Sequence, residues 1–291
     1  MTKNAIVGKL VGVLCAASLW MAPGCDGADA DKSGGDAKAA VGGAKAAAEG
    51  KQADDGDPVP AKKLPEAEAL LAKAVEAAGG TAAFAKFKSF YYEGEVVIAG
   101  QKLEASAQLW WKEGNFYTQQ DMGGVGRVMA GKDGDKIWSQ DPINGLRQLE
   151  GLEAEQVAWL SSLMLASDWK RYFTSAETTK EIQDGDTTLY VVKLTSESGG
   201  EIELHLDKNS GMQTGLAFSQ ATPMGNIPIT LKMQDYRDFE GVKLAYKQVT
   251  EMPLAVATLE IKALKLNPEI SDARFQMPTA GADVVTKPAA K

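Results

Sequence analysis

Short apolar–polar alternations, separated by turn dipeptides, occupy most of the chain after Ser89. Between residues 103 and 109 the odd positions are all apolar and the even ones all polar, so an extended strand there has one buried and one exposed face. Turn signals recur at short intervals, namely Glu113-Gly114, Gly123-Gly124, Asp133-Gly134, Asn144-Gly145, Asp184-Gly185, Gly199-Gly200, Ser210-Gly211 and Glu240-Gly241. This regular spacing predicts a meander of antiparallel strands.

Two longer segments have the helical period instead. A helix is predicted over Glu66–Ala78. Its first turn begins near Pro65 and carries acidic residues, and Gly79-Gly80 ends it. A second helix is predicted over Leu152–Ala166, whose apolar residues recur at helical spacing. A short helical piece is expected over Thr81–Phe87. The predicted order is therefore helix, several strands, helix, and several more strands.

The N-terminus has the features of an export signal. Lys3 and Lys9 are positively charged, and Leu10–Ala22 is an apolar stretch too short to span a bilayer as a helix. Small residues then lead to Cys25. This junction resembles a bacterial lipoprotein signal, which implies cleavage after residue 24 and acylation of Cys25, for example with palmitate. An ordinary cleaved secretory signal followed by an incidental cysteine is the alternative interpretation.

Cysteine usage and charge limit the chemistry of the mature protein. Of the two cysteines, Cys15 lies in the signal and Cys25 at the lipidation position. The folded domain is therefore expected to have no disulfide, no thiol nucleophile and no thiolate metal site. The formal net charge of −8 argues against nucleic acid as a partner, because an acidic chain repels polyphosphate.

Composition divides the rest of the chain into three parts. Residues 25–63 are rich in Ala, Gly, Asp and Lys and contain no aromatic side chain, which predicts a disordered tether. A tail that binds a partner is the alternative for this segment. Residues 64–278 are predicted to form one domain, and residues 279–291 a disordered C-terminal tail.

The domain carries a set of short structural signatures. They are Gly79-Gly80 after the first helix, the hairpin that starts at Tyr91, Met129-Ala130-Gly131 with Gly134 and Trp138, Leu206-Asp207 with Gly211, and Thr222–Pro228 followed by Asp235-Tyr236-Arg237 and Glu240-Gly241-Val242. This pattern resembles the periplasmic lipoprotein-carrier superfamily typified by LolA and LolB. The resemblance implies an α+β, mainly β fold, in which helices cover the concave face of a strongly curved antiparallel sheet, an incomplete β-barrel.

The resemblance also implies an apolar cavity in the half-barrel, since relatives carry lipoprotein acyl chains or other apolar ligands, or act as envelope sensors. Its expected lining consists of aliphatic, aromatic and methionine side chains, namely Leu103, Leu109, Trp111, Met129, Leu163, Met164, Ile202, Leu204, Leu206, Ile227, Ile229, Leu231 and Met233. Flexible methionines tolerate ligands of variable shape. The alternative is that the same residues form a packed core, because alternation indicates burial and not empty space.

Catalytic patterns are missing from the sequence. His205 is the only histidine and is expected on the surface, and there is no serine nucleophile motif, P-loop, dinucleotide fingerprint or pair of metal ligands. The acidic turn Asp184-Gly185-Asp186 offers too few oxygen ligands for calcium. We therefore expect no enzyme, no catalytic residue, no cofactor and no metal. An unrecognised envelope hydrolase is kept as an alternative.

The sequence leads to a specific functional hypothesis. The chain is predicted to be a cell-envelope lipoprotein that faces the periplasm, with the outer membrane favoured over the inner, although Asp26 resembles the inner-membrane retention signal of enteric bacteria. Its expected partners are the membrane, through the anchor, an acyl chain or lipoprotein lipid, and another envelope protein. In the alternative, a domain with a filled core acts as a sensor or scaffold that binds such a protein.

Overall fold

The computed structural model describes residues 63–100, 103–123 and 126–279. The predicted signal, the lipidation position Cys25 and the tether up to residue 62 lie outside the described residues, and so does the C-terminal tail from residue 280 onward. The predicted division of the chain into these parts stays a prediction.

Within the described residues, one antiparallel sheet of thirteen strands dominates the fold. In chain order the strands are β1 Ser89–Ile98, β2 Leu103–Lys112, β3 Asn115–Met122, β4 Gly126–Asp133, β5 Lys136–Asp141, β6 Gly145–Gln148, β7 Ser175–Asp184, β8 Thr187–Thr195, β9 Glu201–Asp207, β10 Gln213–Gln220, β11 Ile227–Phe239, β12 Val242–Met252 and β13 Ala255–Leu266. Their spatial order is β6-β5-β4-β3-β2-β1-β13-β12-β11-β10-β9-β8-β7, so the first strand pairs with the last and the edges β6 and β7 are not joined. The predicted open antiparallel sheet is confirmed.

Four α-helices accompany the sheet in the described chain. They are α1 Ala67–Ala77, α2 Thr81–Phe84, α3 Gly151–Leu160 and α4 Leu165–Tyr172, and a 3-10 turn follows at Asp272–Arg274. Apolar side chains of α1, α3 and α4 belong to the same buried cluster as one face of the sheet, which we call the inner face. The helices therefore cover the concave side, as predicted.

The prediction of one continuous helix over Leu152–Ala166 is wrong, because the chain leaves the helix between α3 and α4. Two serines occupy this break. The Ser161 hydroxyl donates to the Ala158 carbonyl oxygen at 2.7 Å, and the Ser162 hydroxyl donates to the Asp168 carboxylate at 2.8 Å. Such local bonds compete with the helical backbone pattern. The spacing of apolar residues, from which the continuous helix was predicted, gives no information about these serine hydrogen bonds.

Helix α1 ends where the sequence predicts it, at Gly79-Gly80. Gly79 has a φ of 121°, and a Cβ on it would lie 2.1 Å from the Gly241 carbonyl oxygen, so only glycine fits against the β11–β12 turn. The Lys243 amide donates to the Ala78 carbonyl oxygen at 3.0 Å. These contacts attach the end of α1 to the sheet.

The opposite, outer face of the sheet carries a second buried cluster, made of Tyr117, Met129, Trp138 and Phe275. Phe275 comes from the segment after β13, and its carbonyl oxygen accepts a hydrogen bond from Trp138 Nε1 at 3.0 Å. The guanidinium of Arg274 lies over the Trp110 ring, 4.7 Å from its centroid. The C-terminal segment is therefore held against the outer face by contacts that include a buried aromatic ring, hydrogen bonds and cation–π contacts.

Gly131 makes room for this arrangement, and its replacement tests it. Gly131 pairs with Trp138 across β4 and β5, and a Cβ on Gly131 would lie 2.5 Å from two carbons of the buried indole. We expect Gly131→Ala to lower the free energy of unfolding by about 1–3 kcal/mol, measured by urea denaturation, because the ring has to shift in a packed cluster. Gly123→Ala is the control, since nothing lies within 4 Å of its Cβ position. Equal stability of the two variants would contradict the described packing.

Candidate ligand-binding site

The centre of the inner face is made of small residues. Gly94 on β1 pairs with Ala107 on β2, and Ala105 and Ala257 lie beside Val96 and Ile98 in the same register. All of these residues are buried. Neighbouring atoms pack closely here, since a Cβ on Gly94 would lie 2.9 Å from Leu259 Cδ1. We call Gly94, Ala105, Ala107 and Ala257 the small-residue floor.

A row of buried, mostly aliphatic side chains extends from this floor towards β8. Strand registers place a continuous row across the inner face, formed by Ile98, Ala257, Thr250, Leu231, Leu216, Leu204 and Val192. Each member of this row is at most 3 % exposed. The row alternates with outward polar residues on β9 and β11, which explains why the sequence pattern predicted the burial of Leu204 and Leu231.

Polar side chains interrupt the apolar inner face on β3 and β12. Thr118 and Gln120 lie on β3, while Gln248 and Thr250 lie on β12, and all four are at most 2 % exposed. The Thr118 hydroxyl donates to the Gln108 carbonyl oxygen at 3.2 Å. A few polar groups in an apolar concavity are typical of sites that orient a ligand. Sequence analysis missed these residues, because a polar residue on a strand is ordinarily assigned to the exposed face.

Most of the predicted lining residues lie together. Eight are buried in the main cluster, namely Leu109, Met164, Ile202, Leu204, Leu206, Ile229, Leu231 and Met233. Three are partly buried against it, namely Trp111, Leu163 and Ile227. The backbone of Leu103 begins β2, and its side chain lies outside what the structure describes.

Met129 is not with the others. It is buried in the outer-face cluster beside Tyr117, where the Tyr117 hydroxyl lies 3.1 Å from the Met129 sulfur. Its neighbours Val128 and Ala130 face the inner cluster instead. The assignment of Met129 to the cavity is corrected for this reason. The run Met129-Ala130-Gly131 has no polar residue to reveal which of its positions points inward.

A cavity of about 340 Å³ opens where the α3–α4 break meets β2. Its walls combine the predicted residues Trp111, Leu163 and Met164 with aromatic side chains that sequence analysis missed, namely Phe84, Phe87 and Tyr172. Trp111 is held in place by stacking on Phe90 and by donating from Nε1 to the Ser161 carbonyl oxygen at 3.0 Å. Asp168 and Arg171 also line this cavity, so charged groups stand next to its apolar walls.

A second cavity, of about 440 Å³, lies between α3 and the adjoining ends of β9, β10 and β11. Ile202 and Ile229 line it, together with Phe218. The Gln156 side chain attaches α3 at this place, since it donates to the Ser219 carbonyl oxygen and accepts from the Ala221 amide, both at 2.7 Å. The predicted lining thus extends from one rim cavity to the other, with the small-residue floor in the sheet between them.

Burial shifts the pKa of a titratable side chain on each face of the sheet. His205 is half-buried on the outer face, where burial lowers the pKa of its imidazole, and it is therefore less exposed than predicted. On the inner face, burial raises the pKa of the Tyr92 hydroxyl. The described residues include no group of three or more His, Cys, Asp or Glu side chains that fits a metal ion. None of the helices in this part of the chain is long and apolar enough to cross a membrane.

Comparison with solved structures identifies the fold. No family model matches the sequence, and no curated protein matches it significantly. The structure is similar to a DUF1329 family protein from Desulfovibrio piger ATCC 29098, with a TM-score of 0.50 and 13 % identity over 73 % of this chain and 98 % of that one. It is equally similar to a LolA superfamily protein from Nitrosomonas europaea, with a TM-score of 0.50 and 16 % identity over the same shares. The chain has a LolA-like fold.

The two similarities each cover 73 % of this chain and establish its fold. The low identity leaves the ligand to be argued from the residues themselves.

Proposed function

We propose that this protein is a lipid-anchored protein of the cell envelope that binds an acyl chain, of a lipid or of a lipoprotein, on the inner face of its sheet. The observation that carries the proposal is the small-residue floor. Gly94 pairs with Ala107, Ala105 lies two residues before Ala107 on β2, and Ala257 lies on β13 opposite Ile98, in the central part of a face whose other side chains are mostly large and apolar.

An acyl chain fits the chemistry of this face. It is long, flexible and apolar, and its burial contributes about 0.8 kcal/mol per methylene. Aliphatic side chains bind an acyl chain through apolar contacts, which need no particular direction. The side chains of Gln248 and Thr250 lie in the same face and can hydrogen-bond the ester or amide at the head of the chain.

A binding role agrees better with these residues than catalysis does. The buried polar side chains named above on the inner face are threonine, glutamine and Tyr92. Threonine and glutamine do not exchange protons near neutral pH, and burial raises the pKa of the Tyr92 hydroxyl further above that range. Acyl-chain binding requires only shape, apolar surface and a few neutral hydrogen-bonding groups. We therefore propose a non-enzymatic carrier or receptor, with a place in the sorting or transport of lipids or lipoproteins.

The proposed anchor is tested by replacing its cysteine. We expect Cys25→Ser to move the protein from the membrane fraction to the soluble envelope fraction, because the acyl chains on Cys25 hold an otherwise polar chain at the bilayer. Cys15→Ser is the matched control and should remain with the membrane, since Cys15 lies in the predicted signal. Wild-type protein that is already soluble would contradict the anchor.

The proposed binding face is tested by filling its floor. We expect Ala107→Phe to lower the affinity for a fluorescent fatty acid at least about tenfold, because the new ring occupies the place of the ligand. The thermal midpoint should fall by less than it would in a filled core, where overpacking costs about 1–3 kcal/mol. Titration of the probe and thermal unfolding measure the two effects.

Ser106→Phe is the matched control for this test. Ser106 is the preceding residue on β2 and is exposed on the outer face, so the same ring added there should leave probe binding unchanged. A wild-type protein that binds no fatty acid or lipopeptide, together with an Ala107→Phe variant that unfolds, would replace the carrier with a filled-core sensor or scaffold.

A further inference from the structure

The large apolar side chains that the described structure leaves exposed are unevenly distributed. They are Val97, Ile143, Met224, Leu254 and Val256, with exposed fractions from 38 % to 54 %. Single exposed apolar residues are ordinary on a protein surface. These five, however, all lie at one end of the strands, which we call the tip end.

The strand registers locate three of the five directly. Ile98 pairs with Ala257, and Met252 pairs with Ala255, so the end of β1, the end of β12 and the start of β13 lie side by side. Val97, Leu254 and Val256 are in or next to these strand ends. They form the centre of the tip end.

The other two lie on either side of this centre. Ile143 is in the β5–β6 turn, whose Pro142 lies 2.8 Å from the Cβ position of Gly126, at the start of β4. Met224 is in the β10–β11 turn, beyond the Gln220–Ile227 pair. In the order of the sheet, the apolar tips therefore extend from β5 to β10.

Charge separates this end from the opposite one. Each of the five hairpin turns at the opposite end carries a charged residue, namely Glu113, Asp135, Asp186, Lys208 and Glu240. In the turns after β1, β3, β5, β8, β10 and β12, Glu197 is the only charged side chain among the residues that the structure describes. Among the described turn residues, charge is therefore concentrated at the end opposite the apolar tips, although Glu104 pairs with Val97 and Glu251 with Val256 on the neighbouring strands.

We infer that the tip end docks on the surface of a lipid bilayer. Its apolar side chains stand on separate turns, several strand widths of about 4.8 Å apart. A bilayer surface accepts such scattered side chains one by one, whereas a protein partner needs a contiguous patch of about 800 Å² on each side. The inference does not depend on acyl-chain binding, because it concerns only the ends of the strands.

Docking of this kind has a characteristic salt dependence. Burial of apolar tips is hardly screened by ions, whereas attraction between charged groups weakens as the Debye length falls from about 10 Å at 0.1 M salt to about 3 Å at 1 M. We therefore expect vesicle binding to change by less than about twofold over this range of salt. A steep loss would show an electrostatic contact and overturn the inference.

The direct test places a fluorescent label at each end of the full chain. Cys15→Ser and Cys25→Ser remove the native thiols, and Leu254→Cys or Glu240→Cys then gives one labelling position at the tip end or at the charged end. With vesicles of phosphatidylethanolamine and phosphatidylglycerol, the label at position 254 should shift to the blue and be quenched by nitroxide lipids. The label at position 240 should do neither.

A charge-matched pair of variants provides the control. With the label at position 254, Val97→Asp combined with Val256→Asp should weaken vesicle binding at least about tenfold, because both side chains then oppose insertion. Gln183→Asp combined with Asn209→Asp adds the same charge at exposed positions of the opposite end and should have no effect. Circular dichroism checks that each variant is folded.

Besides a steep salt dependence, three results would overturn the inference. They are the absence of vesicle binding, equal responses of the two labels, and a shift of the tip label that follows protein concentration without vesicles. The last result would show that the tips meet a second copy of the chain. Loss of fatty-acid binding alone would contradict the proposed function and leave the docking end intact, so the two failures are distinguishable.

Discussion

The pairing of β1 with β13 is the constraint on which the rest of the structure depends. The two strands stay in antiparallel register from Phe90–Leu266 to Ile98–Ala257, although every other strand lies between them in sequence. A bulge at Glu93–Gly94 interrupts this register, and bulges bend and twist the strand that carries them. A Cβ on Gly94 would lie 2.5 Å from the Glu260 carbonyl oxygen, so glycine is needed at this place. The same residue is part of the small-residue floor.

The sequence predicted what is local. The alternation of apolar and polar residues predicted which face of β1 and of β2 is buried, and turn dipeptides predicted most of the hairpins. Both patterns depend only on residues that are neighbours in sequence. Helix α1 was recognised from its first turn and from Gly79-Gly80. The curvature of the sheet and the helices over its concave side were predicted from the resemblance to the lipoprotein-carrier superfamily. The apolar–polar alternation of residues does not predict them.

What the sequence did not predict depends on contacts between distant residues or on competition between local bonds. The outer-face cluster depends on the contact between Phe275 and Trp138. Neither segment has a local sequence pattern that predicts this contact. Met129 was assigned to the wrong face because the run Met129-Ala130-Gly131 has no polar residue to show which positions point inward. The serines at 161 and 162 ended a helix that the apolar spacing continued. Gln248 and Thr250 were overlooked because polar residues on strands are usually exposed, whereas a binding face requires some of them inside.

The proposed function depends on the inner face. The most direct test is to measure the mass of the protein purified from the cell envelope. Protein purified without added lipid should carry one acyl-chain lipid that is released by organic solvent, detected by native mass spectrometry and identified after extraction. Such a ligand is expected because the inner face is apolar and cavities open at two of its rims. A mass equal to the polypeptide plus its covalent anchor, with no extractable lipid, would contradict a binding site on this face.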